Sequence, residues 1–344
     1  MHFRGGTRPI HRPAISRHRI PRTAIELTNM PTDSHSVSHF ADRLAAAVQA
    51  KGNPVLVGLD PRFEQLPAAL RTAEAPDHAG QAKAYRKFCE GVIDVVAPLV
   101  PAVKPQAAFF EQLGPSGMTA LGEVIRYARK QGLLVIVDGK RNDIGSTATA
   151  YAEGYLGDES NSAWAGDALT VSPYLGEDSL APFVKTAGER GAGIFVLVKT
   201  SNPGGGMFQD LVADGKPIYR HVAEYVERIA AESAGECGYG LAGAVVGATY
   251  PNQAAELRSA MPHAWFLVPG YGSQGATARD VESSFDMQGL GAIVNNSRGI
   301  IFAHARKEYA EFGEAGWQDA VAAATRKMID ELRADTPAGK LTQR

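Results

Sequence analysis

From residue 35 onward the chain alternates two hydrophobic rhythms: apolar residues three and four apart, then compact runs rich in Val, Ile and Leu. The first is the period of an amphipathic helix, the second that of a strand buried on both faces, as in a parallel sheet. The runs at 54–59, 100–104, 133–138, 167–171, 193–199, 242–247, 264–268 and 291–295 predict eight strands. Helices are expected near 80–97, 116–131, 145–156, 179–190, 217–234, 251–260, 277–285 and 301–312. One more at 36–51 and another at 317–334 stand before and after the repeat. Eight βα units predict an α/β protein, a single closed (β/α)8 TIM barrel with extra N- and C-terminal helices. A doubly wound open sheet is the rival, but no Gly-x-Gly-x-x-Gly opens a helix after the first run. The stretch from Gly154 to Gly166 exceeds what a βα unit needs, and reads as a surface elaboration or part of a subunit contact.

Composition narrows the class. With 344 residues, 44% hydrophobic and 21% charged, the chain can bury the core of one large domain. A net charge of −2 argues against a general nucleic-acid or membrane-surface binder, and no apolar run approaches a membrane span. Cys89 and Cys237 alone make neither a disulfide framework nor a zinc spacing, so a reducing, cytoplasmic setting is expected. Residues 1–29 carry six arginines against the single acid Glu26, with prolines and histidines and no apolar period. Residues 1–34 are therefore expected to be a disordered basic extension ahead of a barrel domain at 35–344. A transit peptide fits poorly because the prolines spoil an amphipathic helix; a start of translation at Met30 is the favoured reading.

A barrel gathers the C-terminal ends of its strands on one face, where ligands bind. The third run, Leu133-Leu134-Val135-Ile136-Val137, leads into Asp138-Gly139-Lys140-Arg141-Asn142-Asp143. Alone, an Asp-x-Lys-x-x-Asp element reads as a surface ion-pair cluster. Here the first run ends in Asp60-Pro61-Arg62 and the second in Lys104-Pro105-Gln106, so Asp60, Lys104, Asp138 and Lys140 fall on three adjacent strands with alternating sign. The loops after the last two runs, Pro269-Gly270-Tyr271-Gly272-Ser273-Gln274-Gly275 and Asn295-Asn296-Ser297-Arg298-Gly299, have the marks of a phosphate site. Glycines let backbone N–H groups approach an anion, and Arg298 offers a planar fork that matches phosphate oxygens.

Together with Ser201-Asn202-Pro203-Gly204 after the fifth run, these elements resemble the orotidine 5′-monophosphate decarboxylase family, in its longer bacterial branch. The resemblance covers the chain from about residue 36 onward, in order. It implies decarboxylation of orotidine 5′-monophosphate to uridine 5′-monophosphate, the last step of de novo pyrimidine synthesis, with neither metal nor other cofactor. It implies that Asp60 holds a ribose hydroxyl, that Lys104 bridges ribose and Asp138, that Asp138 faces the substrate carboxylate, and that Lys140 protonates C6. Asp143 and Thr147 would reach the neighbouring subunit's site in a homodimer; Ser201 would meet the pyrimidine edge, and Gln274 and Arg298 the 5′-phosphate. Many relatives have proline after the Asp-Ile pair, where this chain has Gly145-Ser146.

Two other readings compete. A related barrel lyase acting on a sugar phosphate would use a divalent metal; Lys104 and Ser201 suit a metal-free nucleotide site better. A catalytically dead nucleotide-binding barrel would be expected to have lost Lys140 or its flanking carboxylates, and both are present.

Overall fold

The computed structural model describes residues 38–272 and 275–343. The expected disorder of residues 1–34, and Gln274, lie outside the described residues. Eight parallel strands close into a barrel: β1 (Val55–Leu59), β2 (Ala102–Pro105), β3 (Leu134–Arg141), β4 (Ala168–Val171), β5 (Gly193–Lys199), β6 (Ala242–Val246), β7 (Phe266–Val268) and β8 (Ala292–Asn296). Each pairs with its sequence neighbours, and β1 pairs with β8 through Val55↔Val294 to complete the ring. Every residue of β1, β2, β4, β6 and β7 is buried, as expected where helices cover the outside and side chains fill the inside.

The longer helices follow the apolar period: α1 (Phe40–Lys51), α2 (His78–Val96), α3 (Gly114–Lys130), α4 (Gly145–Tyr155), α5 (Glu177–Glu189), α6 (Ile218–Glu232), α7 (Pro251–Ala260) and α8 (Trp317–Asp335). Asp77 caps α2 by accepting from the Gly80 N–H at 2.8 Å, and Gly52 ends α1 in the left-handed region. α1 lies under the barrel. Its Phe40 meets Phe195 edge to face at 6.0 Å, and a Cβ on Gly193 would stand 2.2 Å from the Phe40 ring, so only glycine opens β5 there. α8 returns to α2, where Trp317 packs on Phe88 at 5.2 Å. No helix among the described residues is long and apolar enough to cross a membrane.

The structure differs from the sequence expectations in the loops. The helix expected at 301–312 is a short helix, Arg298–Ile301, followed by 3-10 turns at Ala303–Ala305 and Lys307–Phe312. Arg306 breaks the run: its backbone is extended and its guanidinium bonds the Gly299 carbonyl at 3.0 Å. The helix expected at 277–285 is α-helical only over Ala278–Val281, started by a Thr277/Asp280 capping box, and tightens to 3-10 over Glu282–Ser284. After β5 the chain makes a 3-10 turn at Pro203–Gly205 and a short helix at Gly206–Gln209, then a small hairpin at Val212–Ala213 and Lys216–Pro217. The 154–166 stretch folds back on α4, with Trp164 stacked on Tyr155 at 4.8 Å.

Candidate active site

The charged array forms where β2, β3 and β4 end. Alternation sends Lys104 and Gln106 to one face at the end of β2, where both meet Asp138 of β3. The register then sets Gln106 beside Asp138. Asp138 Oδ2 accepts from Lys104 Nζ at 2.7 Å and from Gln106 Nε2 at 3.0 Å. Asp138 Oδ1 accepts from Lys140 Nζ at 2.6 Å and from Thr170 Oγ1 at 2.9 Å. Two donors on each oxygen use essentially the whole acceptor capacity of a carboxylate.

Burial separates the two lysines. Lys104 and Asp138 are buried, while the Lys140 side chain is 47% exposed at the mouth of the barrel. Burial works against the charge on Asp138, but Lys104 and Lys140 outweigh it and hold the carboxyl well below the ordinary range. Burial likewise works against the Lys104 ammonium, and Asp138 together with Asp60 holds it above its ordinary value. The buried Asp138–Lys104 pair is therefore ionised throughout the neutral range. Lys140 itself sits at a φ of 44°, where β3 and β4 slip register between Val137 and Arg141.

Asp60 follows β1, and its Oδ1 is buried without a hydrogen-bond partner. Asn295 Oδ1 and Ser297 Oγ, at the neighbouring end of β8, are also buried and unpartnered. A Cβ on Gly58 would lie 2.7 Å from Ser297 Cβ and 3.1 Å from Asn295 Oδ1, so the glycine leaves room for both at the barrel rim. Among the described residues these polar groups have no hydrogen-bond partner, which leaves them open to a polar ligand.

The remaining expected site residues lie around this centre. Ser201 follows β5, half-buried, against Gly247 at the end of β6. Its loop is pinned by Lys199 Nζ on Asp210 Oδ1 at 2.5 Å and by Gln209 Nε2 on Thr200 Oγ1 at 2.7 Å. Arg298 opens the helix after β8 and lines a cleft of about 660 Å³ with Arg71, Arg306, Glu64 and Glu314. Asp143 is half-buried and accepts from its neighbouring Ile144 N–H at 2.8 Å, while Thr147 is exposed on the first turn of α4. Neither joins Lys140 within the chain, whose ion-pair partner among the described residues is Asp138. Among the described residues no three His, Cys, Asp or Glu side chains converge on a cation site.

Sequence reasoning missed the direct parts of Gln106 and Thr170. A signal existed for each: Gln106 lies two residues beyond Lys104 on the same strand face, and Thr170 is the polar residue inside the run Ala168–Val171.

Comparison with known proteins agrees with this geometry. Residues 53–312 match the family model for orotidine 5′-phosphate decarboxylase / HUMPS. Orotidine 5′-phosphate decarboxylase of Rhodopirellula baltica is 58% identical over 298 residues, covering 86% of this chain and 99% of the relative. That of Deinococcus radiodurans is 42% identical, covering 77% and 89%. The structure of Leishmania donovani OMP decarboxylase superposes with a TM-score of 0.66 at 32% identity, covering 86% of this chain and 98% of that one. The match runs from before β1 to beyond β8 and extends nearly end to end along these relatives, and so the chain belongs to the orotidine 5′-phosphate decarboxylase / HUMPS family.

Proposed function

We propose that the chain is a carboxy-lyase that converts orotidine 5′-monophosphate to uridine 5′-monophosphate, the closing step of pyrimidine nucleotide synthesis, without a metal or organic cofactor. The observation that carries this reading is the buried Asp138 held between Lys104 and Lys140 at the strand ends. When the C6–carboxylate bond breaks, CO2 leaves and its electron pair stays on C6, where no ring carbonyl delocalises it well. The Lys140 ammonium stabilises that pair as it develops and then delivers a proton to C6; the neutral amine recovers its proton from solvent. Asp138 facing the substrate carboxylate contributes less. Two like charges 4 Å apart repel by about 4 kcal/mol at an effective dielectric near 20, against the 8–23 kcal/mol that enzymes supply in total.

In this reading Asp60 and Lys104 hold the ribose, Ser201 the pyrimidine edge, and Gln274 and Arg298 the phosphate. Asp60 Oδ1, without a hydrogen-bond partner among the described residues, and the place of Arg298 in the first turn after β8 support those assignments. The working unit is a homodimer in which Asp143 and Thr147 complete the partner's site. The face around the strand ends supports this, with Tyr174 80% exposed, Met207 72% exposed, and the Tyr174 and Phe208 rings 6.4 Å apart. We place the enzyme in the cytoplasm, in keeping with the unpaired thiols of Cys89 and Cys237.

The test is loss of orotidine 5′-monophosphate absorbance on adding purified protein with EDTA, beside Lys140→Ala. Turnover that survives chelation and collapses in the variant is the expected result. No turnover by folded wild type overturns the reading, and turnover that returns with magnesium on a sugar phosphate substitutes a metal-dependent lyase. For the dimer, Lys140→Ala and Asp143→Ala chains are mixed. Random exchange should restore about one quarter of wild-type activity, since half the dimers carry one intact site; no recovery on mixing defeats the shared site.

A further inference from the structure

The hydroxyl of Thr170 meets both ends of Lys140. It accepts from the Lys140 backbone N–H at 2.9 Å and donates to Asp138 Oδ1 at 2.9 Å, the same oxygen that takes Lys140 Nζ at 2.6 Å. The direction of these bonds is fixed by chemistry. An ionised carboxylate only accepts and a peptide N–H only donates, so the Thr170 proton must point at Asp138 and a lone pair at Lys140. Thr170 is 1% exposed, which leaves that hydroxyl no water to exchange for either partner.

Lys140 needs such a partner. Its φ of 44° is a left-handed conformation that a non-glycine residue adopts at a cost and keeps only when its surroundings hold it. The β3–β4 ladder cannot hold it, because the register slips between Val137 and Arg141. The strand hydrogen bond that Lys140 N–H would have made is replaced by the Thr170 hydroxyl. The twist that results turns the Lys140 side chain back toward Asp138, two residues earlier on its own strand.

We propose that Thr170 is a positioning residue of the reaction: it sets the backbone twist and the Asp138 oxygen that together aim the Lys140 ammonium. This rests on the reading of Lys140 as charge stabiliser and proton donor given above. Thr170→Val keeps shape and burial but removes both hydrogen bonds, and Thr170→Ser keeps the hydroxyl without the methyl. The expected result is a fall in kcat of about 10- to 100-fold in Thr170→Val, the rate equivalent of one unsatisfied buried donor at the reacting group, with KM within about threefold and kcat restored in Thr170→Ser. Wild-type kcat in Thr170→Val, or a fall confined to KM and thermal stability, overturns the proposal. Should Thr170→Val not fold, Thr170→Ala against Thr170→Ser makes the same comparison, and equal kcat in those two overturns it. Lys140→Ala is measured alongside. If Lys140→Ala is inactive while Thr170→Val is normal, only the role of Thr170 falls; if Lys140→Ala is active, the reading of the site falls first.

Discussion

Two buried aspartates on neighbouring strands, each between two cations, have opposite uses. Asp167 lies just before β4, at the closed end of the barrel, where Arg43 Nη1 and Arg129 Nη1 meet its Oδ1 at 2.5 and 2.8 Å and Val135 N–H meets Oδ2 at 2.9 Å. Asp138 lies toward the open end of β3 with Lys104 and Lys140. The difference is in the cations. The arginines spend further N–H groups on the Gly191 and Ala165 carbonyls, so the fork staples α1, α3 and the strand ends into one unit. A lysine carries a point charge on a flexible stem. Lys140 keeps part of that charge exposed where a ligand can meet it. Both clusters satisfy a buried carboxylate, but only the second retains a proton donor facing outward.

The comparison can be broken in order of expected effect. Lys140→Ala should lower kcat by about 10⁴-fold, since one group is asked for both charge stabilisation and proton transfer, while the melting temperature stays near wild type. Asp138→Asn should lower kcat by about 10²- to 10³-fold and, unlike Lys140→Ala, cost about 3–5 kcal/mol in denaturant unfolding because buried Lys104 loses its directly bonded counter-charge and keeps only Asp60 nearby. Asp167→Asn should do the reverse: about 2–3 kcal/mol of stability lost from charge-assisted hydrogen bonds, with kcat within about twofold. If kcat falls with Asp167→Asn as it does with Asp138→Asn, the division between the two ends is wrong.

Acid sharpens the contrast further. Burial opposes the Asp138 charge, but its two lysines win, so its folded pKa is depressed. Its contribution to stability is full above the ordinary value of 3.8 and is lost as pH falls through the folded value. Lys104 is raised, so its contribution is full below 10.5 and is lost as pH rises through the folded value. Between those limits the pair contributes a constant amount, and Asp138→Asn should flatten the acid limb of a melting-temperature profile. The smallest effect belongs to Arg43→Lys, which keeps the charge but loses the fork and should cost about 1 kcal/mol with no change in rate.

How much of this was legible in the chain differs between strand and loop. Eight compact, mainly apolar runs announced eight strands, because a strand covered on both faces is built mostly from apolar residues. Asp138 and Lys140 stood out because charge directly after such a run has no structural use in the core. The segment at 301–312 misled because its apolar spacing suits a helix, while the turn at Arg306 is held by a guanidinium hydrogen bond to the Gly299 carbonyl seven residues earlier. Thr170 was hidden for a related reason: threonine is a good strand former, and a hydroxyl in a strand signals nothing by itself.

Local pattern thus determined the alternation of elements, the barrel and the strand ends that carry charge, since side-chain period and burial are properties of short segments. Tertiary structure alone decided which oxygen of Asp138 each donor takes, that Gln106 and Thr170 complete the four, and that Lys140 is twisted into the left-handed region. Hydrogen-bond geometry at that level depends on the register between β2, β3 and β4, whose bonded residues lie some thirty positions apart in the chain.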